Sequence, residues 1–352
     1  MNPPRSVAHP VAHLVVSTAL LSLSACASST GPAVEPRASS FLPGSRVLLD
    51  AHNCYPYHGQ WADRMERALS TRVPLAIEQD LAWYTDPATG ESWSIVAHNE
   101  PFRGDEPTLR EHFFERVRSL VEEALAGGDS RDWPLITLNL DFKSEESEHL
   151  AAIGQLLGEY EPWLTTAARA PDSTAVEPLD VKPLLILTGE SDAQERAFHD
   201  SVPVGERLRL FGAVRARRGD ANLTPEQSWE YAINTAPAAL VPEGPTNYRR
   251  WWNSSWFFVE QGGATRAGEW TPQDEQRLGS LVRHAHARKL WIRFYTLNGH
   301  DPADESQGWG AGYNFGGRQQ AEKRWRAAIA AGVDFIATDQ YEDLAATVRE
   351  VR

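Results

Sequence analysis

Glu78 and Asp80 stand two apart in the apolar run Ala76-Ile77-Glu78-Gln79-Asp80-Leu81. Such a run reads as a strand, and side chains two apart on a strand share a face. Two like charges on one buried face are costly unless something positive lies between them. A hard divalent cation held by oxygen ligands is the simplest candidate. A strand whose polar face meets water is the alternative, and the pair alone does not choose between them.

The elements that must position this pair are strands alternating with helices. Apolar, β-branched runs predict strands at 46–52, 74–81, 94–98, 135–142, 184–187, 208–212, 256–260, 290–296 and 335–338. Helices are predicted at 108–126, 144–157, 193–200, 272–288 and 318–331. Thr108 with Glu111 forms a capping box, Gly127-Gly128 stops that helix, and Thr271-Pro272 starts another. Alternation implies a mainly parallel sheet. With 94–98 as an extension in the loop after strand two, eight strands remain. The fold class is therefore α/β, a (β/α)8 TIM-type barrel with long loops at its C-terminal face. An open doubly wound sheet is weaker, because no glycine-rich phosphate loop follows an early strand. Two insertions, 165–181 and 213–253, lack clear periodicity. The second contains Tyr248-Arg249-Arg250-Trp251-Trp252, read as a packed loop or as a grip for phosphate or membrane.

In a barrel the chemistry gathers where strands end. Strand one ends in Asp50-Ala51-His52-Asn53, strand two in Glu78 and Asp80, and the extension in Ala97-His98-Asn99-Glu100. Strand three carries Asp141 and Lys143 on one face. Strand seven closes with Arg293, Tyr295, Thr296 and Asn298, and strand eight with Thr338-Asp339. Three carboxylates (Glu78, Asp80, Asp141) plus an amide oxygen suit Ca²⁺ or Mg²⁺, and not Zn²⁺. His52 and His98 suit general base and general acid work near neutral pH. Lys143 suits neutralisation of a phosphoryl group. Arg293, Tyr295 and Asn298 are candidate substrate contacts.

The order His-Asn, then Glu-x-Asp, then His, then an acid two before Lys resembles the PI-PLC-like phosphodiesterase superfamily. That group includes phosphatidylinositol-specific phospholipases C, glycerophosphodiester phosphodiesterases and sphingomyelinase D-type enzymes. The run from Trp291 to Asn298 resembles the glycerophosphodiesterase segment ending in Trp-Thr-x-Asn. Gly332-Val333-Asp334-Phe335-Ile336-Ala337-Thr338-Asp339 resembles that group's Gly-Val-Asp-x-Ile-x-Thr-Asp. The likeness implies a metal-dependent phosphoric diester hydrolase acting on a phospholipid head group or a glycerophosphodiester. It implies His52 and His98 as the acid/base pair, Glu78, Asp80 and Asp141 as metal ligands with Asn53 as a fourth, and Lys143 on the phosphate. There are departures. His52-Asn53-Cys54 stands where glycerophosphodiesterases have His-Arg-Gly, and the third acid is Asp, as in the sphingomyelinase D-type enzymes.

Two rivals follow from the same residues. Thirteen tryptophans and strand-end acids such as Glu78, Glu190 and Glu260 would suit a secreted glycoside hydrolase on a TIM barrel. That reading leaves the paired histidines and Lys143 unexplained. A non-catalytic barrel lipoprotein is the third reading, and the intact His, Glu-x-Asp, His, Asp set speaks against it. His112, His149, His199, His284 and His286 fall on predicted helices and are expected to face solvent.

The bulk of the chain bounds its partners. A net charge of −14 over 352 residues argues against nucleic acid and against binding anionic membrane by bulk electrostatics. Residues 1–26 read as a lipoprotein signal peptide: Arg5, an apolar run from His13 to Leu23, then Leu23-Ser24-Ala25-Cys26, which looks like a bacterial lipobox. An ordinary signal cut near Ala25 or Ala27 is the alternative. Lipidation at Cys26 implies export across the inner membrane and an N-terminal lipid anchor in the cell envelope, on the periplasmic or outer-membrane side. Residues 27–43 read as a flexible tether and 44–352 as the barrel, expected to be a monomer. Cys54 is then the only other thiol.

Overall fold

The computed structural model describes residues 41–57, 59–220, 222–261, 268–300 and 314–351. Cys26, the predicted signal peptide and most of the predicted tether lie outside them, as does His58.

Eight parallel strands close on themselves. They are Leu48–Ala51, Leu75–Thr85, Ile136–Phe142, Leu184–Thr188, Phe211–Ala213, Arg249–Ser255, Trp291–Tyr295 and Phe335–Thr338. The first strand pairs with both the second (Leu49↔Leu75) and the eighth (Leu49↔Ile336), which completes the barrel. Alternation along each strand then sorts the side chains. Outward residues such as Leu49, Ile77, Leu138, Leu140, Ile186 and Ile292 form the larger core beneath the helices. Inward residues divide by height. Leu48, Ala76, Leu185, Trp251, Trp291 and Phe335 fill the lower barrel. One step up each strand come Asp50, Glu78, Asn139 and Arg293, all buried. Phe41, placed in the tether by the sequence, packs against Trp291 at 4.7 Å between ring centroids and accepts its indole N–H.

The sixth strand is a correction. The apolar run at 256–260 was expected to form it, but Trp256–Phe258 is a single 3-10 turn and the strand is Arg249–Ser255. The basic-aromatic cluster is therefore barrel wall, not loop. Trp251 and Trp252 are fully buried on opposite faces. The arginines tolerate burial because each is paired: Arg249 with Glu195, at 2.5 Å, and Arg250 with the Asn247 and Glu177 carbonyls. The insertion before it is partly ordered by the helix Pro225–Asn234, which a Thr224/Gln227 capping box begins.

Strand two runs on above the rim. Its upper half pairs antiparallel with Ser92–Val96, in the register Leu81↔Val96 to Thr85↔Ser92. This hairpin carries His98 to the mouth. Three of the helical histidines are not at the surface. His112, His149 and His199 are buried, because each ring finds a polar partner: Gln79 Oε1 for His112, Ser94 for His149 and Asp200 for His199.

Candidate active site

The mouth is built on the turn after strand one. Asn53 takes a left-handed backbone conformation (φ 51°), which Asn tolerates better than most residues. The turn is pinned on several sides. His52 N–H donates to the Thr338 carbonyl, Cys54 N–H to the Glu78 carbonyl, and Arg64 Nη1 to the Asn53 carbonyl at 2.6 Å. His52 is thereby held against two acids. Its Nδ1 lies 2.8 Å from Asp339 Oδ1 and its Nε2 3.4 Å from Glu78 Oε2. Burial disfavours a charged ring, but the Glu78 and Asp339 carboxylates outweigh it, and the His52 pKa is raised. Tyr295 stacks parallel to the ring at 6.4 Å.

Glu78 is fixed by donors from two other strands and the turn. Arg293 Nη2 (3.0 Å) and Asn139 Nδ2 (3.2 Å) reach Oε1, and the Asn53 N–H (3.1 Å) reaches Oε2. Burial alone would raise its pKa. Arg293, His52 and Lys143 more than offset that and hold the carboxyl at about 2.

Asp80 behaves oppositely. Burial and the neighbouring Asp141 carboxylate push it up to about 8, against the pull of Lys143. Lys143 Nζ stands 2.8 Å from both Asp80 Oδ2 and Asp141 Oδ2, and these acids raise its own pKa despite burial. Both partners of one ion pair thus shift upward. The cause is a shortage of positive charge: one ammonium serves the two acids, with Glu78 close by.

One oxygen from each of Glu78, Asp80 and Asp141 lies within 4.8 Å of the others. Asp80 Oδ1 is buried without a hydrogen-bond partner. An all-oxygen, charge-deficient cluster with an orphaned carboxylate oxygen fits a hard divalent cation. Those three residues would hold it. The Asn53 amide oxygen sits one hydrogen bond away: it contacts the Tyr55 hydroxyl at 2.8 Å, and that hydroxyl also contacts Asp80 Oδ2 at 2.8 Å.

His98 is more open, with 40% of its side chain exposed. Its Nε2 is 3.9 Å from Asp80 Oδ2, and its Nδ1 is 3.1 Å from Asn99 Oδ1. Burial, then Lys143, lowers its pKa, opposite to His52. The hairpin register explains its position, since the Ala97 N–H donates to the Asp80 carbonyl.

The structure therefore brings together His52, Asn53, Glu78, Asp80, His98, Asp141 and Lys143. The three candidate substrate contacts fare differently. Tyr295 is at the mouth. Arg293 is buried, its guanidinium spent on Asp50, Asn253 Oδ1 and Glu78. Asn298 is buried too, and its Oδ1 accepts from Thr338 Oγ1 and the Asp339 N–H, both at 2.7 Å. These two buttress Glu78 and Asp339 and do not face a ligand. Asp339 and Tyr55 carry no role in the sequence reading. The strand-eight ending Thr338-Asp339 was a usable signal for the first; nothing local distinguished Tyr55 from a core tyrosine. A groove of about 800 Å³ lies elsewhere, between the helix Ser147–Glu159 and residues 193–210. Its lining carries Glu145, Glu206, Arg196, Arg207 and Arg209 but no histidine and no three-acid cluster, so the strand ends remain the candidate site.

No protein-family model matches the chain, and no curated protein matches it. Among solved structures it is similar to a glycerophosphoryl diester phosphodiesterase from Parabacteroides distasonis, at 14% identity, 90% of this chain, 89% of that chain and a TM-score of 0.41. It is also similar to a calcium-dependent phosphoinositol-specific phospholipase C from Pseudomonas sp., at 13% identity, 87% of this chain, 93% of that chain and a TM-score of 0.45. A Plasmodium falciparum HPPK-DHPS matches at 8% identity over 88% of this chain and 49% of that chain, with a TM-score of 0.44. Likenesses this distant speak to neither activity nor substrate.

Proposed function

We propose that this chain is a cation-dependent phosphoric diester hydrolase, with a phospholipid head group or a glycerophosphodiester as substrate class. One observation carries the reading: two histidines in contrasting environments flank a three-acid cluster that includes a lysine, all at the C-terminal mouth of one barrel. The motif order in the sequence supports the same class.

The residues divide the chemistry. His52, oriented by Asp339 and stacked by Tyr295, and His98, on the hairpin, are the groups that take and give protons at the attacking and leaving oxygens. Lys143 neutralises the phosphoryl oxygens. Glu78, Asp80 and Asp141 would hold a divalent cation, Ca²⁺ before Mg²⁺, which when bound would supply positive charge against the phosphoryl oxygens. The phosphate is anionic and the acids at the mouth outnumber its lysine, so the bound cation would supply the positive charge that admits the substrate.

The glycoside-hydrolase alternative loses its acids. Glu260 is buried against Arg324 and the Trp256 indole, and Glu190 pairs with Arg218 at 2.8 Å. Both carboxylates are thereby committed to arginine partners.

The test is hydrolysis of bis-p-nitrophenyl phosphate, followed by a screen of glycerophosphodiesters, lysophospholipids and phosphoinositides. Activity should vanish in chelator and return with Ca²⁺ or Mg²⁺. His52→Ala and His98→Ala should each lower kcat roughly 10²- to 10⁴-fold with circular dichroism unchanged. Chelator-resistant turnover would remove the cation from the reading, and a fully active histidine variant would remove that residue.

A further inference from the structure

We propose that Tyr55 is a positioning residue that ties the histidine side of the mouth to its acidic side and presents Asp80 to the cation. The inference rests on the cation-dependent reading above.

Tyr55 is fully buried, on the turn that also supplies His52 and Asn53. Its hydroxyl lies 2.8 Å from Asn53 Oδ1 and 2.8 Å from Asp80 Oδ2. On the far side of Asn53, its Nδ2 lies 2.8 Å from His52 Nδ1 and 3.3 Å from Asp339 Oδ1. On the far side of Asp80, Lys143 continues the chain to Asp141. Polar contacts therefore run from Asp339 and His52 through Asn53, Tyr55, Asp80 and Lys143 to Asp141. The Tyr55 oxygen joins the two halves of this chain, its single O–H serving one of the two oxygens at a time, beside the direct Asn53 N–H contact to Glu78.

The turn cannot drift to compensate for a lost link. Its carbonyls are held by Arg64 at Asn53 and by the Gln79 amide at Cys54, and the Tyr55 N–H closes on the Asn53 carbonyl at 2.8 Å. The hydroxyl position is thus set by the backbone. With Tyr55 and Lys143 both on Oδ2, the Asp80 carboxylate has one rotational setting, and its Oδ1 is left buried and unpartnered. That is the oxygen available to an ion. The two contacts on one oxygen restrict the rotamer of this carboxyl group.

Tyr55→Phe removes one oxygen and keeps the ring in the core. Ca²⁺ affinity is read by isothermal titration, and kcat and KM with bis-p-nitrophenyl phosphate. The expected result is Ca²⁺ binding weaker by roughly tenfold, a lower kcat and a KM within about twofold, because Tyr55 touches Asp80 and Asn53 and not the substrate. A tyrosine that only fills space would lower Tm and leave both Ca²⁺ affinity and kcat at wild-type values, and that outcome overturns the inference. If wild-type protein binds neither Ca²⁺ nor Mg²⁺, the cation reading falls and this inference falls with it. Binding by wild type with unchanged binding by the variant overturns Tyr55 alone.

Discussion

Arg293 shows how burial reassigns a residue. At the end of a barrel strand, a lone arginine is a natural phosphate contact. Here its three nitrogens are taken by Asp50, Asn253 and Glu78, and it sits fully buried between two acids. Removing the guanidinium leaves Asp50 and Glu78 facing each other uncompensated. Breaking a buried pair in this way costs about 3–5 kcal/mol. Arg293→Met should therefore lower the urea midpoint by that equivalent. A substrate-contacting arginine would instead raise KM with stability unchanged, so urea denaturation beside steady-state kinetics separates the two roles. Asp80 and Glu78 teach the same lesson in carboxylates. They share a face and a strand, yet one is held at about 2 and the other pushed to about 8, because Arg293 and the Asn53 amide serve Glu78 while Asp141 crowds Asp80.

Among the elements, the helical segment that opens at Arg110 illustrates a histidine used as packing. His112 is buried, its Nδ1 on Gln79 Oε1 at 2.7 Å, and Gln79 in turn holds the Cys54 carbonyl beneath the active-site turn. Burial, then Arg116, lowers the ring to about 3. The sign follows from linkage. The unfolded ring, near 6.5, takes a proton before the folded one does. Its contribution is complete above pH 6.5 and is lost as pH falls from there toward 3, at up to about 1.4 kcal/mol per unit. His112→Asn should flatten the pH dependence of unfolding free energy across that window, measured by denaturant titration at several pH values. Identical slopes for both proteins would show that His112 does not couple to folding. The antiparallel hairpin belongs to this scale as well. It was legible only as an extension, and its register with strand two is what brings His98 beside Asp80.

At the scale of the whole molecule, the barrel separates stability from chemistry by height, with apolar layers capped by Phe41 below and polar, ionisable layers above. No helix among the described residues is long and apolar enough to cross a membrane. We propose that attachment to the cell envelope rests on a lipid at Cys26. Cys26→Ser should move the protein from the membrane fraction to the soluble fraction, and unchanged fractionation would remove the anchor. Sequence alone determined the strand-helix alternation, the eight-strand count and the convergence of His52, Glu78, Asp80, His98, Asp141 and Lys143, because strand periodicity and a barrel's polarity place strand-end residues on one rim. It misplaced the sixth strand, since a run of arginines and tryptophans becomes barrel wall only once Glu195 and backbone carbonyls are there to pair with it. It also left Arg293, Asn298, Tyr55 and Asp339 without their present duties. Which carboxylate meets which cation depends on neighbours far away in the chain, 243 positions for Asp50 and Arg293 and 287 for His52 and Asp339. Those pairings exist only after the barrel has closed, so tertiary structure alone decided them.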